Sequence, residues 1–159
     1  VVMVQGDEPM IRPKMISESL DPFEKDPNVN IVNLMSEMST IKEFQDPNEV
    51  KVITDIHNDA IYFSREAIPS LKKFDSTIPM FKQVCIIPFK REYLLKFNSM
   101  SRTTLEIIES IDMLRVIENG EKIKMVKTEF NSYSVDTPDD LNRVRIIMKD
   151  DNLIKQYIY

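Results

Sequence analysis

Val1-Val2-Met3-Val4-Gln5-Gly6-Asp7-Glu8-Pro9 is the stretch whose reading decides the fold. Its four consecutive apolar residues, three of them β-branched, read as a strand buried on both faces, the kind found in mostly parallel sheets. Gly6-Asp7-Glu8-Pro9 ends that strand abruptly in a loop. Ligands of open α/β sheets bind beyond the carboxyl ends of strands, which makes the polar cluster Gln5 to Glu8 the first candidate site. Gly6 there would let a ligand approach the backbone closely. A buried strand rarely opens a protein and no initiator Met precedes Val1, so an amino-terminal part is expected to be missing from this sequence.

Outward from this strand, Pro13 suits the first turn of a helix running to about Leu20, with Met15, Ile16 and Leu20 on its inner side. Asp21 to Asn30 reads as a connection, Asn30 to Leu34 as a strand, and Met38 to Phe44 as a helical turn. Val50 to Asp55 and Ala60 to Ser64, joined by Ile56-His57-Asn58-Asp59, form an expected antiparallel hairpin projecting from the core. Leu71 to Met80 has no period and reads as loop. Gln83 to Phe89 is an apolar strand interrupted at Pro88, and Glu92 to Phe97 a short helix. Leu105, Ile108, Ile111, Leu114 and Ile117 recur at helical spacing, predicting one long helix from Thr104 to Asn119, stopped by Asn119-Gly120. A strand over Lys122 to Thr128 follows. Thr137-Pro138-Asp139-Asp140 then opens a closing helix with a Thr cap and Pro at its first position. The alternation predicts an α/β layered fold, a single domain over 1–159, with a mainly parallel sheet and an inserted antiparallel hairpin.

Composition narrows the function. Lys and Arg total 21 against 26 Asp and Glu, a formal charge of -5, so nothing would drive release of phosphate counterions and a general nucleic-acid binder is excluded. No apolar run approaches the ~20 residues of a membrane span, so no membrane partner is expected. The single Cys85 rules out an internal disulfide framework and fits a reducing, cytoplasmic setting. With 2 Gly in the chain, no Gly-rich phosphate loop can be written.

Asp136 stands immediately before the cap of the closing helix, and since Thr137 does the capping, Asp136 is available for another role. Asp7 and Asp136 on one sheet edge would suit Mg²⁺, which takes one or two carboxylates, waters and substrate phosphates. Asp is also a common turn residue, and spacing alone leaves both roles open.

Five motifs narrow the reading further. They are Val4-Gln5-Gly6-Asp7-Glu8-Pro9, Asp46-Pro47-Asn48-Glu49-Val50-Lys51-Val52, Ile61-Tyr62-Phe63-Ser64-Arg65-Glu66-Ala67-Ile68-Pro69, the run from Leu105-Glu106 to Leu114-Arg115, and Val135-Asp136-Thr137-Pro138-Asp139-Asp140-Leu141. In order and spacing they resemble the CMP-Kdo synthetases, the 3-deoxy-manno-octulosonate cytidylyltransferases, over Val1 to about Met148. The resemblance implies a fold of the nucleotide-diphospho-sugar transferase type, a homodimer, and Mg²⁺; the apolar Val50, Val52, Ile61 and Phe63 of the Val50 to Ser64 hairpin suit either that dimer interface or the hairpin's own sheet. The implied reaction couples CTP to a 2-keto-3-deoxy sugar acid with release of pyrophosphate, a step toward lipopolysaccharide or surface polysaccharide. It assigns the catalytic and metal-binding roles to Asp7 and Asp136, and substrate contacts to Gln5, Arg65, Gln83, Glu109 and Asp112. Arg65 would hold the sugar carboxylate or a phosphate bidentately; a solvated hairpin charge is its plainer reading.

Two departures bear on the sugar. Family members carry Arg-His-Ile-Gly-Ile-Tyr where this chain has Lys82-Gln83-Val84-Cys85-Ile86-Ile87, and Leu-Glu-Gln-Leu-Arg where it has Ile111-Asp112-Met113-Leu114-Arg115. Both bear on the identity of the sugar and not on the metal chemistry, so the acid is Kdo or a different 2-keto sugar acid, such as an amino-substituted or sialic-type one. The family's basic phosphate loop is absent from this sequence, so the chain alone is expected to be inactive, with a non-catalytic dimerisation or sugar-binding module as the alternative. His57 reads as a surface histidine, and Lys82, with Lys72, Lys90, Arg91 and Lys96, as a solvated charged face.

Overall fold

A computed structural model describes residues 1–72 and 79–153; much of the loop expected over 71–80 therefore falls outside the described residues. The elements, in order, are β1 (Val2–Val4), α1 (Pro13–Lys25), β2 (Val32–Glu37), α2 (Ile41–Gln45), β3 (Lys51–Thr54), β4 (Ala60–Ser64), β5 (Phe81–Val84), β6 (Ile86–Pro88), α3 (Arg91–Ser99), α4 (Thr104–Glu109), α5 (Met113–Glu118), β7 (Lys124–Thr128) and α6 (Pro138–Lys149). The α/β class and the hairpin are borne out. The sheet is mixed rather than mainly parallel. Its five strands run β4-β3-β5-β2-β7, and only β2 and β7 are parallel. A parallel pair needs a long crossover, which α3 to α5 supply before β7, whereas β3, β4 and β5 pair antiparallel, β3 and β4 through a short turn.

β1 departs from its expected place. It lies antiparallel to β6 in a separate two-stranded ladder, and among the described residues it has no partner on its other edge. Val4 is 44% exposed, so the strand is not buried on both faces. The apolar run expected over Gln83 to Phe89 is two strands: β5 belongs to the large sheet, and after Cys85 the chain passes to β6 beside β1. Pro88 ends β6, as a residue without an N–H should.

Alternation sorts β2 into two cores, because successive side chains point to opposite faces. Leu34 packs with Met15 of α1, Val84 and Ile86; Met35 packs with Val52, Phe63, Tyr93, Phe97, Met113 and Leu114. One face of the sheet is thus covered by α1 and the other by α3 to α5. The hairpin is part of this sheet rather than a projection from it: β3 pairs with both β4 and β5, and Val52 and Phe63 are buried in the larger core. Ile61 faces out at 52% exposure.

Two helices differ from expectation. α1 continues past Leu20 through Pro22 to Lys25, and Leu20 is exposed while Ser19 is buried. The long helix expected over Thr104 to Asn119 is broken into α4 and α5 at Ser110, whose φ of 56° and ψ of 46° are left-handed. The break rotates the apolar stripe. Ile108, expected inside, is 72% exposed, while Ile111, Met113 and Leu114 are buried.

Candidate active site

The loop after β1 and the loop before α6 meet at one end of the fold. Val135 N–H donates to the carbonyl of Asp7 at 2.9 Å, so the backbone immediately before Asp136 is bonded to that of Asp7. Gln5 N–H donates to the Cys85 carbonyl at 3.3 Å, and Glu8 N–H closes the turn onto the Gln5 carbonyl at 3.4 Å. Gln5, Gly6, Asp7 and Asp136 are exposed. Gly6 has a φ outside the left-handed region, and a Cβ built on it meets nothing within 4 Å, so open space rather than backbone conformation is what glycine offers there. Thr137 caps α6 as expected: its Oγ1 accepts from Asp140 N–H at 3.2 Å and donates to the Asp140 carboxylate at 2.7 Å. The Asp136 backbone adds a bond to the Asp140 carboxylate, but its side chain takes no part in that cap, and its Oδ2 accepts from Ser134 Oγ at 2.9 Å.

Behind this rim lies a buried polar cluster. Glu8 points inward, and its carboxylate accepts from Ser132 Oγ. Burial pushes the Glu8 carboxyl up, opposed by Ser132, the Cys85 backbone and Lys82. Lys82, expected on a solvated face, is 4% exposed. Its Nζ lies 2.9 Å from Glu43 Oε1 and 3.0 Å from Glu49 Oε1, and donates to the Ser132 carbonyl at 3.1 Å. Burial disfavours the Lys82 charge, but the two carboxylates outweigh it and hold the ammonium above its ordinary range. For Glu49 the balance runs the other way, and burial pushes its carboxyl up. Three acids sharing one cation make both directions compatible. A cleft of about 500 Å³ opens over the cluster, lined in part by Glu43, Asp46, Glu49, Ser132, Asp136 and Arg143.

Arg65 and Glu109 are brought together, but as a clasp. The Glu109 carboxylate accepts from Ser64 Oγ (2.8 Å), Arg65 N–H (2.9 Å) and Tyr62 OH (3.3 Å). The Arg65 guanidinium donates to the carbonyls of Glu109 (2.8 Å), Pro47 (3.0 Å) and Ser110 (3.4 Å), leaving two of its five N–H groups for a ligand. This clasp ties β4 to the end of α4, two residues before Asp112. Burial pushes the Asp112 carboxyl up. Gln83 donates through Nε2 to Asn33 Oδ1 at 2.6 Å, an inward bond.

Cys85 sits at the passage from β5 to β6. Burial first, and then the charges of Glu8, Asp7, Asp112 and Asp136, raise its thiol above the ordinary range. Sequence reading placed Glu8 in the polar cluster without a role, read Lys82 as solvated, and missed Ser132. A signal existed for Lys82, which shares a strand face with the core residue Val84 and so falls at an inward position. His57 is exposed in the hairpin turn, as expected.

Among the described residues no group of three or more His, Cys, Asp or Glu could hold a metal ion. Two exposed carboxylates on loops joined by a backbone hydrogen bond nevertheless suit a hard cation that completes its shell with water and phosphate oxygens. Asp7 and Asp136 fit such an ion in donor chemistry.

The sequence profile described as cytidylyltransferase matches residues 1–123. This chain belongs to the cytidylyltransferase family. It is 41% identical over 160 residues to the 3-deoxy-manno-octulosonate cytidylyltransferase of Geotalea daltonii, covering 94% of this chain and 63% of that protein. The enzyme of the same name from Fusobacterium nucleatum is 37% identical over 96% of the chain and 62% of its own length. This cytidylyltransferase chain therefore spans somewhat less than two thirds of these relatives. Among solved structures, CMP:2-keto-3-deoxy-manno-octonic acid synthetase complexed with CTP superposes with a TM-score of 0.83 at 32% identity, over 93% of this chain and 61% of that one. The inositol-1-phosphate CTP transferase of T. maritima, at 17% identity and a TM-score of 0.53 over 93% of this chain and 54% of that one, shares the fold.

Proposed function

We propose that the protein containing this chain is a Mg²⁺-dependent cytidylyltransferase that couples CTP to Kdo or a related 2-keto-3-deoxy sugar acid, releasing pyrophosphate. The observation that carries the reading is the hydrogen bond from Val135 to Asp7, which sets Asp7 and Asp136 on adjoining loops in a chain whose relatives bear that activity in their names. A divalent cation between these carboxylates would neutralise phosphate charge and lower the pKa of the attacking hydroxyl. In the reaction, the anomeric oxygen of the sugar bonds to the α-phosphorus of CTP as the bond to the pyrophosphate oxygen breaks, and the hydroxyl proton passes to solvent. No protein nucleophile is required, so positioning and charge supply the catalysis.

Gln5 and Asp112 are read as bonding sugar hydroxyls, an assignment supported by their place in the motifs the chain shares with its relatives. Arg65 keeps two N–H groups for an anion, while its other bonds order the segment leading to Asp112. Dimerisation through the hairpin is part of the reading, supported by the exposed Ile61 on edge strand β4 and Ile56 at the turn. A cytoplasmic setting is supported by the free thiol of Cys85. No helix among the described residues is long and apolar enough to cross a membrane.

The test is pyrophosphate release by the full-length protein supplied with CTP, Mg²⁺ and a panel of 2-keto sugar acids. Asp7→Asn and Asp136→Asn should each lower the rate by about 100-fold or more. Undiminished activity in either variant refutes the assignment.

A further inference from the structure

Glu8 follows Asp7 directly and points the opposite way. Its carboxylate is buried, accepts from Ser132 Oγ, and is bonded by the backbone of Cys85. Ser132 belongs to the loop that carries Asp136, and its carbonyl is held from the other side by Lys82 Nζ at 3.1 Å. Lys82 in turn is fixed by Glu43 and Glu49. The loops bearing the two exposed aspartates are therefore joined twice, at the surface through Val135 to Asp7 and in the interior through Glu8, Ser132 and Lys82. A buried, multiply bonded charge has one arrangement available to it, whereas the exposed Asp7 and Asp136 have many.

We propose that Glu8 and Lys82 are positioning residues, which clamp Ser132 between them and thereby set the separation of the Asp7 and Asp136 carboxylates for a divalent cation. The inference rests on the proposed role of those aspartates. Outer partners that orient metal ligands change metal affinity by about 10- to 100-fold when removed. Glu8→Ala is the direct perturbation; it leaves Lys82 with two carboxylate partners and creates no orphaned cation. Glu8→Gln retains an acceptor for Ser132. Lys82→Arg keeps a cation able to reach Glu43, Glu49 and the Ser132 carbonyl.

The experiment measures Mn²⁺ binding to the full-length protein by electron paramagnetic resonance, with the melting temperature recorded in parallel. Glu8→Ala is expected to weaken Mn²⁺ binding about tenfold or more, whereas Glu8→Gln and Lys82→Arg each keep most of the parent affinity. Met15→Ala, a core truncation beneath α1, serves as the stability control and should lower the melting temperature while Mn²⁺ affinity stays at the parent value. Unchanged Mn²⁺ affinity in Glu8→Ala, or an equal loss in Met15→Ala, overturns the proposal. Asp7→Asn and Asp136→Asn run in the same titration separate the two claims. If they abolish binding while Glu8→Ala keeps the parent affinity, the clamp alone is wrong; if they too bind normally, the metal assignment falls with it.

Discussion

Glu106→Gln tests how the α4–α5 corner that presents Asp112 is held. The Glu106 carboxylate is 2% exposed and accepts from Arg115 Nη2 at 2.6 Å, Arg115 Nε at 2.8 Å, Arg102 Nε at 3.2 Å and Thr103 N–H at 3.2 Å. Arg115 above all, against the cost of burial, holds the carboxyl down to about 2 from an ordinary value of 4.5. That difference corresponds to about 3 kcal/mol of folding stability at neutral pH. Because the folded state binds its proton less readily, the contribution is complete above the unfolded value and fades as pH falls from about 4.5 toward 2, leaving about 1 kcal/mol at pH 3. Gln preserves the shape and one acceptor but not the charge. Urea unfolding of the full-length protein and its Glu106→Gln variant should therefore show a stability gap of about 3 kcal/mol at pH 7 that narrows to about 1 kcal/mol at pH 3. A gap that is constant across this range would refute the argument, as would one below about 1 kcal/mol at pH 7.

Other expectations follow from single contacts. Lys51 is fully buried, and its Nζ donates to the carbonyls of Asp46 (2.8 Å), Glu49 (2.7 Å) and Arg65; Lys51→Met, similar in size but without a donor, should cost about 3 kcal/mol, read as a lower urea midpoint. Gly120 has φ +73° at the end of α5, so Gly120→Ala should cost about 1 kcal/mol in the same measurement. Gly6→Ala, with nothing near its added methyl, should leave unfolding unchanged but raise the KM for CTP, because the site opens there; an unaltered KM would remove Gly6 from the site.

Motifs and caps were legible in the chain because they depend on neighbours in sequence. Thr137 with Asp140 is a cap wherever the helix lies, the residues around Asn58 turn wherever the hairpin docks, and the Asp7 and Asp136 motifs announce themselves by type and spacing. The α/β class followed from the alternation of such elements. Strand direction did not, since an apolar run such as Val1 to Val4 or Gln83 to Phe89 has the same pattern whether its partner runs with it or against it.

The chain order alone thus determined the local chemistry: which segments are strands or helices, and which side chains are acids, amides and cations available for a site. Only the tertiary structure decided that Lys82 is buried among Glu43 and Glu49, that Arg65 is occupied by the carbonyls of Pro47, Glu109 and Ser110, and that a left-handed Ser110 breaks the periodic run at 104–119. Each of these depends on groups distant in sequence whose hydrogen bonds outweigh local preference. Helical spacing makes an unbroken helix available over that run, and the clasp from β4 together with the Arg115–Glu106 pair accompanies a corner instead. The backbone bond joining Val135 to Asp7 is of the same kind, since no periodicity records which loops come to share a hydrogen bond.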